Sequence, residues 1–250
     1  MTITVNEPET GIVCVTLDDS RTRNAMDEAA FKQLAALWPR IDANAACRAV
    51  VVTGANGAFS SGANLGANLT ALPDLDALVA AALMKEQGIR KPIIAAIDGA
   101  CVAGGFELAL ACDIRLCSQE ARFGLPEVRW GIFPSGGGAR RLAAEIGYTA
   151  AAELLLTGRI FDAQEAHTLG FVNRVLPRAE LIGQALEIAR TIAGNSPIAT
   201  QAVKVYISQA RHVSSELVQL EATLTTSVRT SADNTEGVKA FLEKRTPRYS

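Results

Sequence analysis

The sequence predicts an α/β fold whose first part alternates strands with helices and whose last part is helical. Two observations carry this prediction. Short apolar or β-branched runs, separated by helical patterns and glycine turns, recur through the front of the chain. From about Asn195 onward only helical spacing is found. We therefore expect an α/β core over residues 1–194 and a helical region over 195–250 that covers the core or a neighbouring subunit.

The elements of the front part follow from hydrophobic spacing. Residues 12–17 are predicted to form a strand. Residues 28–41 have the pattern of an amphipathic helix, with Asp27 as a plausible N-cap and Pro39 expected to kink or shorten it. Residues 49–53 are a short, mainly β-branched run, which is typical of a buried strand.

The later elements are shorter and then become helical. A buried strand over 92–97, an apolar helix over 106–112 and a strand over 113–117 are predicted after an irregular stretch from 66 to 90. The chain is mostly helical after residue 135, and 171–176 is the last expected strand. In the tail, Pro197 suits a first helical turn, and two helices are indicated by Leu217, Leu220 and Leu224 and by Val238, Phe241 and Leu242.

Composition narrows the class of protein. The 250 residues suffice for one sizeable core, and no apolar run approaches the roughly 18 residues of a membrane helix. The net charge of −2, with no basic stripe, argues against a nucleic-acid partner. Five cysteines without a CxxC pair favour buried free thiols. With no secretory or transit signal at the N-terminus, a cytoplasmic protein is expected.

Two glutamates are the strongest functional signal. Glu107 and Glu127 each follow a glycine-punctuated turn that lets a ligand approach the backbone. Carboxylates beside exposed backbone donors suit acid–base chemistry next to a developing oxyanion. Each also has a simpler interpretation, Glu107 as a charge in the first turn of a helix and Glu127 as a surface carboxylate or a charge at the N-terminus of a helix.

Other chemistries find little support in the sequence. There is no G-x-S-x-G nucleophile motif, and no His/Cys/carboxylate cluster has metal-ligand spacing. His167 and His212 are expected on the surface or in packing roles. The run 136–138 lacks the residues of a phosphate-binding Walker loop, so we assign it to helix packing.

Taken in order, several segments resemble the crotonase family, the enoyl-CoA hydratase/isomerase superfamily. They include Arg-Asn-Ala-Met at 23–26, Ser-Ser-Gly-Ala-Asn-Leu at 60–65, Ala-Gly-Gly-Phe-Glu at 103–107 and Gly-Leu-Pro-Glu at 124–127. The resemblance covers nearly the whole chain. It implies a spiral of repeated ββα units with a helical C-terminal region that forms trimers, often stacked into hexamers. It also implies an acyl-CoA thioester as ligand and neither metal nor redox cofactor.

The same resemblance implies roles for individual residues. Backbone N–H groups of Ala63 and Gly104 would form an oxyanion hole, while Glu107 deprotonates water and Glu127 delivers the α-proton. Substrate-binding positions are Arg23, Ala25, Ser61, Asn64 and Leu65, with Phe241 and Lys244 reaching the CoA of a neighbouring subunit. Three positions depart from the family pattern: Asn64 replaces an aspartate, Ala103 replaces a glycine, and the bulky Phe106 is expected to reshape the pocket.

The resulting prediction is hydration of 2-trans-enoyl-CoA to 3-hydroxyacyl-CoA. Alternatives on the same scaffold are double-bond isomerisation, decarboxylation and retro-aldol cleavage, all of which reuse an oxyanion hole. A non-catalytic acyl-CoA-binding subunit is a further alternative. The two glutamates argue against it, since a binder does not need them. The missing Ser/His pairing disfavours a serine-protease relative of the same fold.

Overall fold

The computed structural model describes residues 1–67, 69, 74–86, 88–209 and 215–249. Its strands are β1 Thr2–Glu9, β2 Ile12–Asp18, β3 Ala49–Gly54, β4 Ala58–Ser60, β5 Ile93–Ile97, β6 Ala100–Val102, β7 Ile114–Ser118, β8 Arg122–Gly124, β9 Phe161–Asp162 and β10 Arg174–Leu176. Its helices are α1 Glu28–Ala43, α2 Leu75–Ala82, α3 Gly104–Ala111, α4 Gly138–Ile146, α5 Tyr148–Thr157, α6 Ala163–Thr168, α7 Arg178–Ala193, α8 Pro197–Gln209, α9 Ser215–Arg229 and α10 Ala232–Leu242.

The strands build two sheets through a repeated ββα unit. One sheet has the order β1-β2-β3-β5-β7-β10 and the other β4-β6-β8-β9. In three successive units, the first strand (β3, β5, β7) joins the larger sheet and the second (β4, β6, β8) joins the smaller one. Equivalent strands of successive units pair in parallel. The predicted α/β spiral is therefore confirmed, and α2, α3 and α4 follow the three units.

Burial on both faces of the larger sheet explains its β-branched sequence. Val50 and Val52 of β3 point into the main core, whereas Val51 packs with Leu181 and Ala185 of α7 in a second apolar layer. Helix α1 begins as predicted, with Asp27 accepting a hydrogen bond from Ala30 N at 2.9 Å. It continues past Pro39 to Ala43, so the proline does not shorten it.

The C-terminal helices cover the core, as expected. Helix α8 is held by the Lys204 ammonium, which donates to the Lys91 carbonyl and lies 2.7 Å from an Asp113 oxygen. Helix α10 packs tightly on the 3-10 turn Pro126–Trp130. A Cβ atom on Gly237 would lie 2.0 Å from the Trp130 carbonyl oxygen, and only glycine fits there. The boundary between residues 194 and 195 stays a prediction.

Several surface and side-chain expectations can also be placed. His167 is exposed on α6, and His212 lies outside the described residues. The five cysteines are free thiols, and four of them are buried. Across the described ranges no helix is long and apolar enough to cross a membrane, and no cluster of His, Cys, Asp and Glu is suited to a metal ion.

Candidate active site

The two glutamates converge on one cavity of about 640 Å³. Glu107 lies in the first turn of α3, directly after strand β6, and Glu127 lies in the 3-10 turn that follows β8. Their exposed fractions are 4% and 8%, so both are buried carboxyl groups rather than surface charges. The repeated unit thus places two acids at equivalent ends of neighbouring strands, which rules out the simpler interpretation of Glu127 as a surface carboxylate.

Glycines before α4 hold the Glu107 carboxylate. The N–H of Gly138 donates to Glu107 Oε1 at 2.9 Å. A Cβ on Gly136 would lie 2.4 Å from Glu107 Oε2, and one on Gly138 would lie 2.9 Å from Oε1. The run 136–138, assigned from sequence to helix packing, therefore also positions an acid. In contrast, Glu127 Oε2 is buried and has no hydrogen-bond partner within the described part of the chain.

Burial raises the pKa of both carboxyl groups. For Glu107 the pKa rises to about 7, although the Gly138 and Gly136 N–H groups and the Arg141 charge oppose the rise. For Glu127 burial and then the neighbouring charge of Glu107 raise the pKa well above its usual value. Two nearby buried acids disfavour ionising together, so the pair retains a proton near neutral pH.

Two backbone donors lie next to each other at the same cavity. The N–H of Gly104 is the first of helix α3 and has no acceptor within that helix. Met26 forms an isolated β-bridge with Ala63. Its N–H donates to the Gly62 carbonyl, and its carbonyl accepts from Asn64 N. This pairing turns the Ala63 N–H away from Met26. A Cβ on Gly104 would lie 3.6 Å from Ala63 N, so the two donors are adjacent.

Ala103 occupies a backbone conformation that favours glycine. Its φ is +50° and its ψ −128°, immediately before α3. Such a conformation costs an alanine on the order of 1–3 kcal/mol. Its N–H nevertheless donates to the Gly124 carbonyl at 2.9 Å, so the glycine-to-alanine departure removes no donor and leaves Gly104 in place.

A buried asparagine, which the sequence analysis did not single out, organises the turn at 22–25. Asn24 Nδ2 donates to the Ala58 carbonyl at 2.7 Å, and its Oδ1 accepts from Asp19 N at 2.7 Å. Arg23 and Asn24 both have positive φ. Ser61 donates through its hydroxyl to the Thr22 carbonyl at 2.7 Å, which joins this turn to β4.

The predicted substrate-binding positions around this turn share the cavity wall. They are Arg23, Ala25, Ser61, Asn64 and Leu65. Asn64 Oδ1 accepts from Gly66 N at 3.1 Å and so caps the short 3-10 helix Leu65–Ala67, a role that asparagine can fill as well as aspartate.

The C-terminal helices supply the opposite wall of the same chain's cavity. Phe241 packs edge-on against Trp130 with ring centroids 5.1 Å apart, and both line the cavity. Lys244 lines an adjoining open groove with Arg129 and Tyr249. That Phe241 and Lys244 reach a neighbouring subunit stays a prediction.

Phe106 does not shape the pocket, so that expectation was wrong. Its side chain is fully buried against Phe171, with ring centroids 4.5 Å apart, and against Phe161 at 5.9 Å. It fills the aromatic core between α3 and the smaller sheet. Trp130, by contrast, does line the cavity.

This arrangement is the crotonase-type spiral that the resemblance implied, with two acids and two backbone donors lining one cavity. The chain belongs to the enoyl-CoA hydratase/isomerase family, whose model matches residues 7–250. An enoyl-CoA hydratase of Mycobacterium tuberculosis is 35% identical, covering 94% of this chain and 91% of its own. The 2,3-dehydroadipyl-CoA hydratase of Escherichia coli is also 35% identical, covering 95% and 94%. The crystal structure of a carnitinyl-CoA hydratase from Mycobacterium avium superposes with a TM-score of 0.91 at 30% identity, covering 99% and 98%.

Proposed function

We propose that the protein hydrates 2-trans-enoyl-CoA thioesters to 3-hydroxyacyl-CoA. The observation that carries this proposal is the burial of Glu107 and Glu127 in one cavity beside the adjacent N–H groups of Ala63 and Gly104. The names of its relatives support it, since several are enoyl-CoA hydratases.

The proposed mechanism begins with the thioester oxygen between Ala63 N–H and Gly104 N–H. Water adds at the β-carbon, and negative charge builds on that oxygen as the double bond is lost. Donors fixed in advance stabilise this charge, and losing one typically costs on the order of 10²–10³ in rate. The positive end of the α3 dipole points the same way.

Each glutamate carries out one proton transfer in this mechanism. Glu107, fixed by Gly138 and with its pKa raised to about 7, takes a proton from the attacking water. Glu127, whose pKa is raised well above its ordinary value by burial and by the Glu107 charge, retains its proton and delivers it to the α-carbon. The proposed reaction consumes one water molecule and no other reagent. It requires neither a metal nor a redox cofactor.

CoA recognition is assigned to the cavity mouth. Arg23, Ala25, Ser61, Asn64 and Leu65 form one side of it. Phe241 and Lys244 extend from α10 toward the other side or toward the CoA of a neighbouring subunit. Arg23 is the candidate for a phosphate contact, because a guanidinium pairs well with phosphate oxygens.

We further propose a cytoplasmic homotrimer or homohexamer. Apolar side chains that a monomer would leave in water lie on α5 and α8: Leu156 is 79% exposed, Ile198 82% and Tyr206 81%. Buried free thiols fit a reducing compartment. Light scattering of the purified protein gives the oligomeric state directly, and a monomer would contradict this assembly.

Mass analysis of the product tests the proposed reaction against its rivals. Incubated with crotonyl-CoA, the protein is expected to give a product heavier by one water. With a longer 2-enoyl-CoA, an isomerase would give a product of unchanged mass, while decarboxylation or retro-aldol cleavage of a suitable acyl-CoA would give lighter ones. Tight binding of acyl-CoA without turnover of any enoyl-CoA would favour the non-catalytic binder. The retained pair of glutamates favours hydration, because isomerisation can proceed with one.

A further inference from the structure

One face of α9 forms a polar stripe, Glu221, Thr225 and Arg229, spaced one helical turn apart. Its two ends are paired with the α2 segment: the Lys85 ammonium lies 3.3 Å from Glu221 Oε1, and Arg229 Nη1 donates to Asp76 Oδ2 at 2.9 Å. The two ion pairs fix α9 over α2 and leave Thr225 between them.

Thr225 differs from the other threonines of this segment. Thr223, Thr226 and Thr230 each donate to the carbonyl four residues earlier, at 2.9, 3.0 and 3.0 Å. Thr225 does not make the equivalent bond to the Glu221 carbonyl. Its side chain is 5% exposed, and within the described chain its hydroxyl has no hydrogen-bond partner. A buried hydroxyl without a partner is destabilising, so its retention calls for a ligand.

Thr225 also lines the cavity that holds Glu107 and Glu127. The wall contributed by α2 is apolar and consists of Leu75, Val79 and the following Leu83. A Cβ on Gly136 would lie 2.4 Å from Glu107 Oε2 and 2.7 Å from Leu83 Cδ1, so the α2 wall beside the stripe reaches the Glu107 carboxylate. An acyl chain in this cavity would therefore meet an apolar wall on one side and the Thr225 hydroxyl on the other.

The charges around Thr225 select an uncharged ligand group. Glu221 lies one turn away and is ion-paired with Lys85, so an anionic ligand group would meet a carboxylate and a cation that is already paired. Arg229 is already paired with Asp76. A hydroxyl group can both accept from and donate to the threonine and can donate to a carboxylate.

We propose that Thr225 is a specificity-determining residue that hydrogen bonds a hydroxyl group carried by the acyl chain beyond the reacting double bond. This inference rests on the proposed hydration of enoyl-CoA and names a substrate class for it, the hydroxylated 2-enoyl-CoAs.

The test compares 2-enoyl-CoAs of increasing length that end in a hydroxyl with analogues in which a methyl replaces that hydroxyl. At one chain length the wild-type protein is expected to favour the hydroxylated substrate in kcat/KM by on the order of tenfold, the usual effect of one buried hydrogen bond. Thr225→Val should reduce this ratio to about one, and Thr225→Ser should restore it. Thr226→Val is the matched control, because Thr226 is exposed on the same helix and bonded to its own backbone.

Three results would overturn the assignment. They are a ratio near one at every chain length in the wild type, a Thr225→Val variant that slows both substrates equally, and a preference for an ω-carboxylate. Binding of the corresponding saturated acyl-CoAs, measured by calorimetry, gives the same ratio without turnover. A protein that binds hydroxyacyl-CoA selectively through Thr225 but hydrates no enoyl-CoA would contradict the proposed function and support the role of Thr225. A protein that hydrates enoyl-CoA without preferring hydroxylated substrates would support the proposed function and contradict the role of Thr225.

Discussion

The raised pKa of Glu107 makes a prediction about stability that does not depend on catalysis. A carboxyl group whose pKa is higher in the folded chain binds its proton more tightly there than in the unfolded chain. Its contribution to the free energy of unfolding is therefore greatest at low pH and is lost as pH rises from the unfolded value, 4.5, through the folded value of about 7. Glu107→Gln carries no charge and should lack this loss.

The size of the effect follows from the two pKa values. A tenfold difference in proton affinity corresponds to about 1.4 kcal/mol. Between pH 5 and pH 8, an ordinary value of 4.5 and a folded value of about 7 give a loss on the order of 2–3 kcal/mol for this one group. Because Glu107 is buried, solvent screening reduces this figure little.

Urea unfolding of both proteins at pH 5 and pH 8, followed by the fluorescence of the buried Trp38, measures this difference. The free energy of unfolding of the wild type should fall between these pH values by roughly 2–3 kcal/mol more than that of Glu107→Gln. Protein concentration is held constant, since assembly also stabilises the fold. Equal pH dependence in the two proteins, or a steeper fall in the variant, would mean that Glu107 is already ionised in the folded protein.

Three further predictions, one of them with a control substitution, follow from positions where a side-chain atom does or does not fit. Gly138→Ala would put a Cβ 2.9 Å from Glu107 Oε1 and should lower kcat roughly 100-fold with little change in KM. Gly183→Ala, in open space on α7, is its control and should keep full activity in steady-state assays. Ala103→Gly relieves a φ of +50° and should raise the free energy of unfolding by about 1 kcal/mol in urea titrations, whereas a less stable variant would contradict the strain. Gly237→Val would place its side chain against the Trp130 carbonyl and should displace α10, raising KM for the acyl-CoA at least tenfold; an unchanged KM would show that α10 does not bound the substrate site.

The long elements could be predicted from the sequence because their periodicity extends over several turns or residues. Helix α1 and the buried strands β3 and β5 all lie where hydrophobic spacing predicts them. The smaller sheet could not be predicted. Its strands β4, β6 and β8 are three residues long, and each is stabilised by pairing with the equivalent strand of a neighbouring unit rather than by a pattern of its own.

Only some of the site residues could be predicted from the sequence, for a related reason. Glu107 could be predicted because an acid in an otherwise apolar helix needs an explanation. The glycine turn before it lies at the junction of the short strand β6 and helix α3. Asn24 and Gly138 resemble ordinary turn residues, and their roles follow from contacts 34 and 31 positions away along the chain. Thr225 is one of several threonines on α9, and only its missing backbone bond distinguishes it.

The central claim, that Glu107 and Glu127 together carry out hydration, is tested most directly by the rate of crotonyl-CoA hydration in Glu107→Gln and Glu127→Gln. Each substitution is expected to lower kcat by roughly 100-fold or more, the usual scale for an acid–base group. Glu180→Gln, an exposed glutamate on α7, should hydrate at the wild-type rate. Near-normal hydration by both site variants would contradict the claim.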